Sequence, residues 1–149
     1  YELALDEKAT VLSDTKTADG IIPVSFCYEN AAGNRFFVLN FNSRFGSDRL
    51  LKHYAASRRY ADAIAYLNGK KLPAFVYGNP ALYVQAKEGN GALAVGLWNF
   101  FADIAVAPIV ELDKAYSEIT FINCTGKLEK DRVHLSDIPA FGFAGFEVK

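Results

Sequence analysis

Apolar and polar positions change their spacing twice along this chain, and each change marks a different kind of element. Over the first twenty residues Leu3, Leu5, Val11 and Leu12 are the main apolar anchors before the Asp19-Gly20 turn signal, a pattern that suits either an edge strand or a docked linker. Ile21 to Tyr28 and Arg35 to Phe41 are rich in β-branched and aromatic residues, which fit a pleated surface. The polar, glycine-containing segment Glu29 to Asn34 between them predicts a β-hairpin.

The period then lengthens. Leu50, Leu51, Tyr54, Ala61, Ile64, Ala65 and Leu67 recur at helical spacing, after Ser47 as a hydroxyl N-cap and Asp48 as first-turn negative charge. Asn68-Gly69 supplies a left-handed stop, and Lys70, Lys71 and Pro73 discourage continuation, so one long helix is predicted near residues 47–68. Its apolar stripe must cover a sheet or another domain.

From Ala74 onward the pattern becomes short apolar segments between turn formers, with breaks at Gly78-Asn79-Pro80, Glu88 to Gly91, Asp113-Lys114 and Glu129 to Asp131. Leu82 to Lys87 and Ala92 to Asn99 flank a Gly-Asn-Gly turn and form a second predicted hairpin. Ile109 to Leu112, Ile119 to Cys124, Arg132 to Leu135 and Phe141 to Val148 complete the strands. The glycines in the last of these call for a bulge or for close approach of another layer. The expected fold is therefore mainly β (α+β), an antiparallel β-sandwich with one long helix. Residues 1–149 are expected to form a single domain, open to subdivision into 1–73, hairpin plus helix, and 74–149, sandwich strands.

Composition narrows the partners. Sixteen basic against seventeen acidic residues, net charge −1, leave no broad positive field for nucleic acid or an anionic membrane. Arg58, Arg59, Lys70 and Lys71 read as the solvated face and positive end of the helix. No apolar run has the length of a membrane span, and Tyr1 to Gly20 lacks the layout of a secretion signal, so the expected location is cytoplasmic. The chain starts at Tyr1 and contains no methionine, which reads as an excised portion or processed product of something longer.

Reactive constellations are not recognisable. Cys27 and Cys124 sit in separate apolar segments and read as buried free thiols. His53 and His134 have neither an i,i+4 partner nor Cys-x-x-Cys company, so no metal and no cofactor is expected. No phosphate-binding glycine loop follows a strand. Glu29, Asp103, Glu111 and Asp113 are nominal acid–base candidates, but nothing in their context sets them apart from turn and strand-face acids. Ser25 and Ser117 lack a nucleophile-elbow setting. Asn123-Cys124-Thr125 fits a glycosylation sequon, a pattern short enough to arise by chance.

One compositional feature stands out: 12 Phe, 8 Tyr and 1 Trp, a share of rings that must either fill a core or form a surface. The surface alternative is a sugar platform, in which rings stack on a C–H face while Asn or Asp takes the hydroxyls. Tyr77, Trp98, Asn99 and Asp103 are its candidate carbohydrate-binding residues.

The C-terminal half carries a more specific pattern: Leu93 to Phe100 (Leu-Ala-Val-Gly-Leu-Trp-Asn-Phe), Ile109 to Leu112, and Leu135 to Ala144 (Leu-Ser-Asp-Ile-Pro-Ala-Phe-Gly-Phe-Ala). That order resembles the C-terminal β-sandwich of bacterial glycoside hydrolases, with Asn99-Phe100 closing a hairpin strand and Ile138-Pro139-Ala140-Phe141-Gly142 introducing the last one. The resemblance spans Ala81 to Val148. It implies a noncatalytic accessory module serving stability, domain orientation or assembly, with the catalytic carboxylates in an upstream barrel domain of the same polypeptide. The partners expected from it are that upstream domain and, in the alternative reading as a carbohydrate-binding module, a carbohydrate; a homo-oligomer stays open. The preceding hairpin and helix are then either the tail of an earlier domain or an elaboration packed on one sheet.

Overall fold

The computed structural model of the protein describes residues 5, 7–39, 54–79 and 81–149. Among them the chain is mostly antiparallel β, with one helix and three sheets. Strands β1 (Thr10–Thr17), β2 (Gly20–Glu29) and β3 (Arg35–Leu39) form the first sheet in sequence order. Helix α1 (Tyr54–Asn68) follows. The remaining strands are β4 (Ala74–Tyr77), β5 (Leu82–Gly89), β6 (Ala92–Asn99), β7 (Ile109–Leu112), β8 (Ile119–Ile122), β9 (Gly126–Glu129), β10 (Arg132–Leu135) and β11 (Phe143–Val148). They divide into two four-stranded sheets, ordered β4-β7-β10-β9 and β5-β6-β11-β8.

Period-two patterning explains the sandwich. In β6, Leu93, Val95 and Leu97 point one way, and in β11 Ala144, Phe146 and Val148 do the same. They meet Val110 and Leu112 of β7 and Val133 and Leu135 of β10 in a single apolar cluster between the sheets. Leu97, Val110, Val133, Ile138 and Val148 are completely shielded from solvent, so removing apolar surface from water here contributes most of what holds the two sheets together.

The hairpins form where the turn chemistry anticipates them. Asn90 and Gly91 both have positive φ, 51° and 78°, the two left-handed positions of a tight β5–β6 connection. Between β2 and β3, Asn30 Oδ1 accepts from the backbone N–H groups of Ala32 and Asn34 at 3.0 and 2.9 Å, folding the loop on its own side chain. Within the first twenty residues Thr10–Thr17 form an edge strand, paired with β2 through a bulge around Ser13, while the anchor Leu3 lies outside the described residues.

The helix ends where expected. Gly69 N–H bonds Tyr66 O and Lys70 N–H bonds Ala65 O, both at 3.1 Å, closing a Schellman turn. Gly69 has φ 70°, and a Cβ there would collide with the Arg35 guanidinium, which itself donates to Tyr66 O at 3.3 Å. Glycine is thus required both by the turn and by the cap from β3. The stripe differs from the prediction: Ala61 and Ala63 are buried, while Ile64 and Leu67 are about half exposed. The helix lies between two layers, with Tyr66 against Phe37 of β3 and Arg58 over Phe75, and the small alanines let it approach both. The predicted helix start at Ser47 and Asp48, the stripe positions Leu50 and Leu51, the last two residues of the strand to Phe41, and His53 lie outside the described residues.

Two strand predictions need correction. The last strand begins at Phe143 rather than Phe141, because Phe141 has φ 55° and Gly142 N–H turns back to Pro139 O at 3.0 Å. The strand from Ile119 stops at Ile122, where Asn123 takes φ 56°. β4 and β9 carry no periodic signal of their own and were not anticipated. β9 exists because Lys130, with φ 60°, turns the chain so that Gly126 to Glu129 pairs with β10.

Candidate functional site

Four side chains singled out by the sequence do not converge. Asn99 is buried to 1% exposure, and its amide is spent inside the chain. Its Nδ2 donates to the carbonyls of Asp103, Pro139 and Ile138 at 2.7, 3.0 and 3.3 Å, and its Oδ1 accepts from Phe101 N–H at 3.1 Å. Asp103 is exposed, but its contribution to this network is its backbone carbonyl. Tyr77 lies on β4 of the other sheet, paired with Ile109, and is 46% exposed. Of the four, only Trp98, half-buried on the outward face of β6, belongs to a ring surface.

Asn99 nevertheless organises the most unusual surface of the molecule. Its side chain ties the β6–β7 loop to the turn before β11, and backbone bonds reinforce the tie: Asn99 N–H to Gly142 O at 2.9 Å, Phe141 N–H to Phe101 O at 3.2 Å, and a reciprocal Ala105–Ile138 bridge. Ala107 N–H adds a bond to Asp137 Oδ1 at 2.9 Å. These two segments are therefore held rigidly. What they carry outward is apolar: Phe100, Phe101, Ile104, Val106 and Phe141 all stand in solvent, the last two by 71% and 74%. Loop tips are ordinarily polar, whereas this end of the sandwich concentrates large apolar groups.

Beside this end runs a row of rings. Tyr83, Trp98 and Phe143 are cross-strand neighbours on β5, β6 and β11, with centroids 5.9 and 4.9 Å apart. Phe100 extends the row, 6.2 Å from Tyr83. In the adjacent row Gly96 faces Gly145, and a Cβ on Gly96 would come within 2.6 Å of Trp98 Cη2 and 3.2 Å of Phe143 Cε2. The glycines leave room for both rings over the backbone, their planes tilted 46° to each other. At Gly145 the approach is by a ring of the same sheet, not by another layer.

The acid–base candidates are engaged elsewhere. Glu111 receives Arg58 on one oxygen and Arg132 on the other, the latter at 3.4 Å. Arg58 also meets Asp62 at 3.2 Å and lies 5.6 Å from the Phe75 ring centre. Burial works against the Arg58 charge, but the bonds and fields of Glu111 and Asp62 outweigh it and leave its pKa raised. The groove that holds this cluster, between α1 and the β4–β7 edge, has a volume of about 120 Å³ and also receives Lys71 and Asp131. That is below the roughly 300 Å³ of usual small-molecule sites. Two guanidinium groups, one from α1 and one from β10, converge on the Glu111 carboxylate and make it a clasp between helix and sheet. Glu29 pairs with Arg35 at 2.8 Å. Asp113 accepts from Tyr116, whose phenol is pushed up to about 12 by burial first and this bond second.

The remaining nominees are structural as well. Ser25 is buried against Ser13, Oγ to Oγ 2.5 Å, and Ser117 Oγ donates to Lys149 O at 3.3 Å. Both cysteines are free thiols; Cys27 is buried, and Cys124 donates to Gly145 O at 3.3 Å. His134 stands 3.6 Å from Glu129 on a half-exposed strand. Among the described residues no group of three or more His, Cys, Asp or Glu is arranged to hold a metal, and no helix is long and apolar enough to cross a membrane. No protein family, curated protein or solved structure matches the chain.

Sequence reasoning missed the apolar end as a unit because its members come from two loops forty residues apart. The signal that joins them is Asn99 itself, an amide at an inward position of an otherwise apolar strand, where burial demands partners.

Proposed function

We propose that this chain is a noncatalytic accessory module of a carbohydrate-active protein, and that it docks through its apolar end onto an upstream catalytic domain of the same polypeptide. The observation that carries the reading is the pairing of a buried amide network with a solvent-facing set of large apolar side chains. The hydrogen bonds of the Asn99 amide offset its desolvation and the entropy of fixing two loops. Phe100, Val106 and Phe141 are left in water, where their apolar surface is unfavourable. That cost is recovered if the end is covered by another surface, on which preorganised loops lose little further freedom.

The resemblance of Ala81 to Val148 to the terminal sandwich of glycoside hydrolases supports the choice of partner, and the engagement of Glu29, Glu111 and Asp113 in ion pairs or hydrogen bonds supports a noncatalytic role. The test uses the intact polypeptide. Phe141→Ser combined with Val106→Ser should leave the module folded but make its junction with the neighbouring domain cleavable by low protease and lower the neighbour's melting temperature. An unaltered digestion pattern and melting temperature would refute docking through this end. Glycoside hydrolysis by the isolated chain, lost on Glu111→Gln, would refute the noncatalytic assignment.

A further inference from the structure

A second surface stands beside the docking end and differs from it in chemistry. The outward face of the β5-β6-β11-β8 sheet is built in rows: Tyr83, Trp98 and Phe143 first, then Gln85, Gly96, Gly145 and Ile122, then Lys87, Ala94, Glu147 and Thr120. The core lies on the other side of this sheet, so the rings are not core residues. Tyr83 is 56% exposed and Phe100 63%. Because Gly96 and Gly145 lack side chains, the Trp98 and Phe143 rings reach over their backbone, with the Tyr83 and Trp98 planes tilted 56° to each other and the Trp98 and Phe143 planes 46°.

Three features define what fits. Ring faces carry partial negative charge and attract polarised C–H groups. Exposed hydrogen-bonding side chains stand on the same face, Gln85 one row from Tyr83 at a strand spacing of about 7 Å. The two rows nearest the rings carry no charged side chain, and Lys87 and Glu147 stand only in the third, Glu147 paired with Lys149 at 3.1 Å, so no charge at the rings selects an ion. The complement is an uncharged ligand with an apolar C–H face and a rim of hydroxyls. We propose that Tyr83 and Trp98 form a stacking site for a neutral pyranose chain, with Gln85 taking hydroxyls beside it.

Trp98 is the only tryptophan, so its emission reports on this face alone. The chain is titrated with linear hexasaccharides of glucose, xylose, mannose and galactose, followed by Trp98 fluorescence and by calorimetry. At least one should give a saturable emission change with matching heat. Tyr83→Ala, an exposed substitution that spares the core, should weaken that binding about tenfold. Gln85→Ala should weaken it less. Phe141→Ser should leave it unchanged, which separates this site from the docking end. Absence of saturable change with all four sugars overturns the proposal, as does binding that Tyr83→Ala does not weaken.

Discussion

The two halves of the molecule solve the same problem, burying a sheet face, in opposite ways. From Ala74 to Lys149 two four-stranded sheets cover each other, and their shared cluster leaves Leu97, Val110, Val133 and Val148 with no exposure. In the first sheet only Ser25, Phe26 and Cys27 are buried, while Val11, Leu12, Ile21 and Ile22 are 40% to 70% exposed. The sandwich has its own core. The β1–β3 sheet leans on α1, and α1 leans on the β4 edge through Arg58. Stability should therefore be concentrated in the C-terminal half, with the N-terminal layer opening first.

The comparison is broken most severely in the core. Phe146→Ala, which empties a fully shielded site between the sheets, should cost about 3–5 kcal/mol, whereas Ile21→Ala should change stability by no more than about 0.5 kcal/mol. Equilibrium urea unfolding of the two variants measures both. Equal effects would show that the halves share one core.

Next in size is Asn99→Ala. It leaves Phe101 N–H and three carbonyls without their amide partner, and should cost about 2–3 kcal/mol while accelerating amide exchange in the 100–105 loop. Exchange in β1 and β2 should not change. A smaller effect is expected at the clasp between the halves. A double-mutant cycle of Arg58→Ala and Glu111→Gln should return a coupling of about 1 kcal/mol, with Arg132 retaining part of the Glu111 interaction. Exchange should then rise in α1 and β1–β3 but not in β6 or β11.

The smallest effect is on pH dependence. Tyr116 titrates higher in the folded chain than its ordinary value of 10, at about 12. Between these values the unfolded chain has lost the proton and the folded chain retains it, so this group's contribution is intact below pH 10 and is lost as pH rises toward 12. Tyr116→Phe should flatten the alkaline limb of the stability profile. Chemical unfolding at stepped pH measures the difference.

The legibility of the fold follows the same division. β6 and β11 could be read directly because inward residues alternate with outward ones over six or more positions. The β5–β6 turn and the helix stop at Gly69 were readable because left-handed backbone leaves a residue signature. β9 was not, since Gly126 to Glu129 is a short edge strand whose existence depends on its partner. The helix face was misjudged at Ile64 and Leu67 because two layers, not one, compete for it.

For the site, residue type was informative and position was not. Trp98 and Asn99 were both singled out, and both matter to surfaces, but adjacent residues of a strand point to opposite faces. Trp98 therefore joins a row of rings outside, and Asn99 becomes the internal tie that displays Phe100, Phe101 and Phe141. Nothing in the spacing of residues 99 and 139 signals that they share a hydrogen bond.

The most direct measurement is amide hydrogen exchange on the isolated chain and on an intact polypeptide that joins it to the proposed upstream domain, compared peptide by peptide. The account predicts that the peptides covering 100–107 and 139–142 are protected in the intact polypeptide relative to the isolated chain, while those covering Val11 and Ile21 exchange alike in both. Identical exchange at 100–107 and 139–142 would contradict it, because the apolar end would then stand in water in the whole protein as well.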